Sequence, residues 1–504
     1  MAKICLCLTA KTLERNLEIL NKYRKYTDIV ELRVDCLAPD ERLLIRDFPQ
    51  MADIPVILAI RRDIDGGFFD SGEGSRINLM ARGLAYADAD RRRNFAYLDI
   101  EEDLNVPSLE EAARSFGTRI IRSYHAKTFD DIDMSAKFRS MQRSGDEIIK
   151  FTITANSILD VYKLMQIGKN TKQDKIMIAR GHFGVFSRIL AEKFGSYLCY
   201  TGALAEPDIS LAAPGQVEIT ELVKNYRFRS IRADTKVFGV LGYPLLKTGS
   251  PNFFNAVFDL EGTNAVYVPF PSDSIDNFYK IFNELDIAGL SVTVPYKETV
   301  VTVLKNKSED VQNFGACNTV SRNEYGLYGS NTDAKGFTDS LLAFLNRTHL
   351  KRMRATIIGA GGTAKAVAHE LYRLGAKALI LNRTVHKARD IAVKYKFAWN
   401  SLDKQGIDMM NKFRDIIIQA SSAGMAGIDC SDPAPMYSFC GKENVMDMVY
   451  NPNMTPFLTR AQDAGCKIIN GYDMLIRQAQ YQYLQFFGRE FPKHLLSKVT
   501  IESE

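Results

Sequence analysis

The chain has no CxxC pair and no regular cysteine framework. Its eight cysteines, Cys5, Cys7, Cys36, Cys199, Cys317, Cys430, Cys440 and Cys466, are scattered. That spacing excludes a disulfide scaffold and the common zinc ribbons, and it reads as reduced thiols in cores or loops. Histidine is scarce too, at six residues, and none has ligand spacing with cysteine or carboxylate, so no metal is expected. Nothing approaches the ~18 consecutive apolar residues of a membrane span, and "MAKICLCLTAK" lacks an adequate h-region and a small-residue cleavage site. A cytoplasmic protein without a membrane partner is expected. Charge of one sign is also lacking. A formal net charge of +5 is spread over 504 residues with no long Lys/Arg run, which argues against a nucleic-acid surface and suits small anionic substrates.

What is present is enough apolar material, 46% of residues, for two or three domains. Eight β-rich runs punctuate the first half: "KICLCLTA" (3–10), "DIVELRVD" (28–35), "PVILAIR" (55–61), "FAYLDIE" (95–101), "RIIRSYH" (119–125), "EIIKFTITA" (147–155), "KIMIAR" (175–180) and "YLCYTGA" (197–203). Helical periodicity fills the later gaps, as in "SILDVYKLMQIG" and "GVFSRILAEKFG". Eight alternating units predict a TIM barrel with its chemistry at the strand ends, the alternative on pattern alone being an open doubly wound sheet. Polar residues late in these strands then converge on one mouth: Glu31, Arg33 and Asp35, Arg61, His125 and Lys150. Lys150 stands out because an unpaired lysine inside a buried strand is costly. Desolvation there lowers an amine's pKa, making a nucleophile toward a carbonyl, with a nearby imidazole to move protons.

These residues carry a resemblance. "ELRVD" at 31–35, "SYH" ending at His125, the strand lysine Lys150, "GVFSRILAEKFGS" and "APGQ" at 213–216 resemble type I 3-dehydroquinate dehydratase over roughly the first 225 residues. The resemblance implies that Lys150 forms a Schiff base with the C3 ketone of 3-dehydroquinate, that His125 is general base and acid, and that Glu31 orients it. It implies Arg188 as the substrate-carboxylate clamp, with Arg33, Arg61 and Gln216 holding other oxygens. One departure is Ala212, where the family often has Ser.

The pattern changes near 224–235, which is charged, lacks a strong period and is not Gly/Ser-rich, so a boundary with limited freedom is expected there. Beyond it, "RATIIGAGGTAKAVAHELYRLG" (354–375) reads as strand, glycine-rich turn and Ala-rich helix. Gly359, Gly361 and Gly362, with Ala360 and Thr363 in the same turn, let backbone amides approach a pyrophosphate at a helix N-terminus. The next run ends in Asn382, Arg383 and Thr384 where an NAD-specific protein places an acid. A cation there, with Lys387 as a second contact, favours NADPH. Lys297 in "VPYKE" and Asp333 in "GSNTDAKGF" form a candidate proton-transfer pair.

"GVLGYPLLKTGSP", "LSVTVPYKE", "GACNTV", "GSNTDAKGF", "GAGGTAKA", "NRT", "VYNPNMTP" and "GYDMLIRQAQ" resemble shikimate dehydrogenase in order, across about residues 236–495. The resemblance implies Lys297 and Asp333 as the catalytic pair and Thr248 and Ser250 on the substrate carboxylate. It further implies Thr293, Asn318 and Gln478 on ring hydroxyls, Tyr450 near nicotinamide and substrate, and Ser422 on the cofactor wall. Departures are Thr248 for Ser, Lys247 for His and Ala479 for Gly. The whole resembles the bifunctional enzymes of the shikimate pathway. Expected divisions are a barrel at 1–225, a substrate-binding domain at 236–335, and at 336–504 a Rossmann-type NADP(H) domain whose last helices return to the substrate domain. Alternatives are a quinate-preferring dehydrogenase half or a non-catalytic regulatory paralogue. Small-molecule substrates are the expected partners; oligomeric state stays open, a monomer being compatible with the sequence.

Overall fold

The computed structural model describes residues 1–85, 88–129, 133–209, 212–245 and 248–499. The chain divides into two compact units, one of Met1–Val237 with Phe254–Asp286, the other of Phe238–Phe253 with Ile287–Glu504.

The first unit is built on eight parallel strands: β1 (Lys3–Leu8), β2 (Ile29–Arg33), β3 (Val56–Ala59), β4 (Tyr97–Glu101), β5 (Arg119–Ala126), β6 (Ile148–Thr154), β7 (Lys175–Arg180) and β8 (Leu198–Gly202). Each lies inside one of the eight runs read from the sequence or, for β5, one residue beyond it. Their order, β7-β6-β5-β4-β3-β2-β1-β8, places β7 and β8 at the sheet's two ends. A bridge from Lys175 to Ser196, with the Met177 N–H donating to Ser196 Oγ at 2.9 Å, brings those ends together. The result is the TIM barrel, not the open sheet. Side chains alternate across a strand, so one set from each strand fills the interior. Near the strand starts that set is apolar and packed: Cys5, Ile29, Ile57, Tyr97, Ile121, Ile148, Ile176 and Leu198. Two and four residues further along, the same faces turn polar, which is why the chemistry gathers at one end.

The helix expected over "GVFSRILAEKFG" is shorter than its period suggested. It spans Val185–Ile189 and stops at Leu190, whose backbone leaves helical geometry. The charged joint is packed, with Tyr226, Phe228 and Ile231 buried. Phe254–Asp286 includes strand β10 (Ala265–Pro271). It packs on barrel helices through Phe186 against Phe270 at 5.1 Å and a Lys169–Glu284 ion pair at 2.7 Å.

The second unit holds two sheets. In one, β9 (Lys236–Gly242), β11 (Ile287–Val292), β13 (Thr319–Asn323), β14 (Gly326–Ser330) and β12 (Asn306–Lys307) lie in that order. The other is wholly parallel, in the order β17-β16-β15-β18-β19-β20. Its strands are β15 (Arg354–Ile358), β16 (Lys377–Asn382), β17 (Ala398–Ser401), β18 (Ile416–Gln419), β19 (Asn444–Asp447) and β20 (Lys467–Ile469). Strand order reverses between β15 and β18, and ligands of such sheets bind beyond the strand ends at that point.

Candidate active sites

At the barrel mouth Lys150 Nζ donates to Asp99 Oδ2 at 2.7 Å and to Glu31 Oε2 at 3.4 Å, and it lies 4.3 Å from the centre of the Tyr200 ring. The residue is 4% exposed. Its surroundings are therefore two carboxylates and an aromatic face, so the buried amine expected from the sequence is paired as well as desolvated. Asp99 also accepts from Arg61 at 2.9 Å and from Ser123 at 2.6 Å. Burial alone pushes the Asp99 carboxyl up, but Arg61 and Lys150 outweigh it and hold it below the usual carboxylate range. Arg33 is chelated by Asp35 at 2.9 and 2.7 Å, and Arg61 also reaches Glu101 at 3.2 Å.

His125 Nε2 touches Arg61 Nη1. Burial, then the cations Arg61, Lys150, Arg180 and Arg33, drive this imidazole well below its ordinary value, so it is neutral at pH 7. Glu31 donors are Lys150 and Cys7; among the described residues no hydrogen bond joins it to His125.

A cavity opens over these groups, and every barrel residue singled out for substrate or catalysis lines it: Glu31, Arg33, Arg61, His125, Lys150, Arg188 and Gln216. Eight buried side-chain polar atoms lack a hydrogen-bond partner among the described residues, and five of them, on Thr152, Arg180, Arg188, Tyr200 and Gln216, belong to residues of this one wall. Buried polar groups are almost always satisfied, so their concentration marks a ligand site. Sequence reasoning missed Asp99, Thr152, Arg180 and Tyr200. Asp99 was detectable: it stands at an inward position of "FAYLDIE", level with the run of apolar neighbours that make a carboxylate costly.

In the second unit Lys297, on a one-turn helix after β11, donates to Asp333 Oδ2 at 2.5 Å and to Thr363 Oγ1 at 3.0 Å. The bond to Thr363 ties the pair to the glycine-rich turn. Asp333 sits in the first turn of the helix Thr332–Leu345, which Asn331 caps by accepting from the Ala334 N–H. Asn318 Nδ2 donates to Asp333 Oδ1 at 2.7 Å and to Gln478 Oε1 at 3.3 Å. Gln478 reaches in because its helix, Tyr472–Phe487, lies against Gly336, where a Cβ would come within 2.9 Å of Gln478. Thr248 and Ser250 hydroxyls lie 3.5 Å apart; Lys247 falls outside the described residues. Thr293 and Tyr450 are half-buried, and among the described residues no side-chain hydrogen bond links either to the Lys297–Asp333 network.

The turn after β15 fits a dinucleotide. Gly359 has φ +115° and backs onto Ala420, at the end of β18, so close that a Cβ would sit 3.0 Å from its backbone. A Cβ on Gly361 would meet nothing within 4 Å, leaving open space before the helix Gly362–Arg373, whose N-terminal amides have no side-chain cap. A second cavity, about 520 Å³, runs past Ala360 and Gly361 to Lys365, His386 and Lys387. Asn382 closes β16 and Arg383 and Thr384 follow it, with Arg383 and Lys387 exposed and Ser422 following β18. These residues would hold NADP(H) with the pyrophosphate on the turn.

Fold and sites together define an α/β enzyme of two parts, a barrel with an amine and an imidazole at its mouth and a dinucleotide-binding unit with a Lys–Asp pair. Comparison with known proteins gives the family. Type I 3-dehydroquinase matches residues 4–233, the shikimate dehydrogenase substrate binding domain residues 240–320, and shikimate / quinate 5-dehydrogenase residues 342–447. A bifunctional 3-dehydroquinate dehydratase/shikimate dehydrogenase of Arabidopsis thaliana, chloroplastic, is 28% identical over 98% of this chain and 83% of its own length. An NADP(+) shikimate dehydrogenase of Pyrococcus furiosus is 36% identical over 54% of this chain and 97% of its own. One from Caldanaerobacter subterraneus is 35% identical over 52% and 95%. The chain belongs to the shikimate dehydrogenase family, with a type I 3-dehydroquinase region ahead of it.

Proposed function

We propose that the chain is a bifunctional shikimate-pathway enzyme that dehydrates 3-dehydroquinate to 3-dehydroshikimate and then reduces the product to shikimate with NADPH. The observation that carries it is the conjunction of Lys150 beside a neutral His125 in one unit with Lys297 on Asp333 beside a dinucleotide turn in the other. Dehydration falls to residues 1–225, capture of the ketone for reduction to 236–335, and cofactor binding to 336–504.

In the barrel, the Lys150 amine adds to the C3 ketone, and loss of water gives the imine. Asp99 and Glu31, already bonded to Nζ, hold the amine in place, and two of its protons leave with the ketone oxygen as that water. Neutral His125 removes a C2 proton, and the resulting imidazolium returns it to the departing C1 hydroxyl; hydrolysis then frees Lys150. Arg188 holds the carboxylate. In the second unit NADPH supplies the hydride. Lys297 delivers a proton to the carbonyl oxygen as it becomes a hydroxyl, Asp333 fixes the ammonium, and Asn318 and Gln478 orient ring hydroxyls. Thr248 and Ser250 take the carboxylate, with Thr293 and Tyr450 flanking the ring. Among the described residues no helix is long and apolar enough to cross a membrane; a cytoplasmic location is part of this proposal.

The test is the product mixture from 3-dehydroquinate. Without NADPH only 3-dehydroshikimate forms; with it, shikimate. Failure to form either product overturns the proposal. The third family description names quinate beside shikimate, and comparable oxidation of both alcohols would establish the broader reading.

The His125 environment sets the pH dependence. A base must be neutral, and its folded pKa is displaced downward, so kcat/KM for dehydration stays level from pH 8 through 6.5 and falls only in more acidic solution. A half-maximal point above about 6.5, the ordinary imidazole value, would remove His125 from the role of base. Cofactor choice rests on Arg383: Arg383→Ala is expected to raise KM for NADPH by about tenfold to a hundredfold, the size of a lost charge-assisted bond, while NADH kinetics barely change. Equal effects on both cofactors would place the 2′-phosphate elsewhere.

A further inference from the structure

Five lysine and arginine side chains line the barrel cavity, and carboxylates account for three of them. Lys150 is held by Asp99 and Glu31, Arg33 by Asp35, and Arg61 by Asp99 and Glu101. Arg180 and Arg188 form no ion pair with a carboxylate among the described residues, and the Nε of each is buried without a hydrogen-bond partner. The one further carboxylate on the wall, Asp65, is engaged by Arg62 at 2.6 Å.

Arg188 comes from the helix Val185–Ile189; Arg180 is the last residue of β7 and reaches across the mouth. Its Nη2 donates to the Ala126 carbonyl at the end of β5, at 3.3 Å, and its Nη1 lies 3.6 Å from where a Cβ on Gly66 would stand. The side chain is thus fixed at its tip while Nε stays free. On the neighbouring wall Ala212 and Ala213 offer no side-chain donor. Burial, then the cations Arg61 and Arg188, pull Arg180 below the usual arginine range, and Asp65 opposes them only in part. With no carboxylate in ion-pair contact among the described residues, such a group is stabilised further by a bound anion.

We propose that Arg180 is a second anion-binding residue of the barrel site, closing with Arg188 on the carboxylate of the ring acid. This rests on the dehydratase reading of the barrel. It has a consequence beyond that reading: two unpaired guanidinium groups face a substrate with one carboxylate, so the free site attracts oxyanions of higher charge, and inorganic phosphate competes with substrate.

The test uses the full chain with Arg180→Met and Arg180→Lys, measuring KM and kcat for 3-dehydroquinate and the inhibition constant of inorganic phosphate. Arg180→Met is expected to raise KM and weaken phosphate inhibition each by about tenfold or more, with kcat within about threefold. Arg180→Lys keeps the charge without the fork and falls between it and the parent. Unchanged KM and phosphate constants in Arg180→Met overturn the proposal. So does a variant that loses only kcat and melting temperature, which is the mark of a structural role through Ala126. Should Arg180→Met fail to fold, Arg180→Lys decides alone: parental constants in it overturn the proposal. Borohydride trapping on the parent chain separates the two readings. No adduct on Lys150 defeats the dehydratase assignment, whereas phosphate affinity, measured by calorimetry, still judges Arg180.

Discussion

Lys150→Met is expected to slow dehydration of 3-dehydroquinate at least about ten-thousandfold, because it removes the nucleophile on which the covalent route depends. Methionine matches the stem of lysine, so the strand interior between Ile148 and Thr152 stays filled. The loss is confined to the amine. Breaking a buried ion pair typically costs about 3–5 kcal/mol, yet here Asp99 keeps Arg61 at 2.9 Å and Ser123 at 2.6 Å, so its charge is not left bare. The variant should therefore fold with a lowered Tm and retain reduction of 3-dehydroshikimate, since the Lys297 network lies in the other unit. In the parent chain, borohydride with 3-dehydroquinate traps a mass increment on the peptide carrying Lys150; in the variant the increment disappears. An adduct that maps to another lysine, or dehydration within tenfold of the parent, would end the Schiff-base mechanism for this barrel.

That prediction was accessible from the sequence because Lys150 is out of place. A lysine at an inward position of a β-branched run announces either a partner or a use, and the same alternation located all eight barrel strands. Partners were harder to read. Which carboxylate meets Lys150 depends on the stagger of strands β4 and β6, which are not adjacent in the sheet, and period-2 reasoning within one strand carries no such information. Arg180 escaped notice for a related reason: at the last position of "KIMIAR" a cation reads as the solvated end of a strand, and only barrel closure turns it inward. In the second half, the glycine-rich turn and the Arg383 signal were legible because their chemistry is local. The meeting of Lys297, Asp333, Asn318 and Gln478, drawn from four separate stretches, was legible only through family resemblance. The attachment of Phe254–Asp286 to the barrel unit had no sequence signal, because a few aromatic and ionic contacts such as Phe186–Phe270 leave no period.

Lys297→Ala is expected to cut NADPH-dependent reduction at least about a hundredfold, the usual scale of a general acid/base contribution, while dehydration proceeds at the parental rate. With 3-dehydroquinate and NADPH together, the variant then accumulates 3-dehydroshikimate. The loss should appear mainly in kcat. Asn318 stays bonded to both Asp333 and Gln478, so the ring-hydroxyl groups stay in place and KM changes less. Because Lys297 and Asp333 share one short bond of 2.5 Å, they should behave as a unit. Asp333→Asn removes the carboxylate that fixes the ammonium, and the double variant is then expected to be no more than about threefold worse than the weaker single variant, since groups that act together lose their effect only once. Fully multiplicative losses would mean that the two side chains serve separate steps. A parallel fall of both activities in Lys297→Ala, with the fold intact, would mean that the two sites are not independent, and the assignment of one reaction to each unit would have to be abandoned.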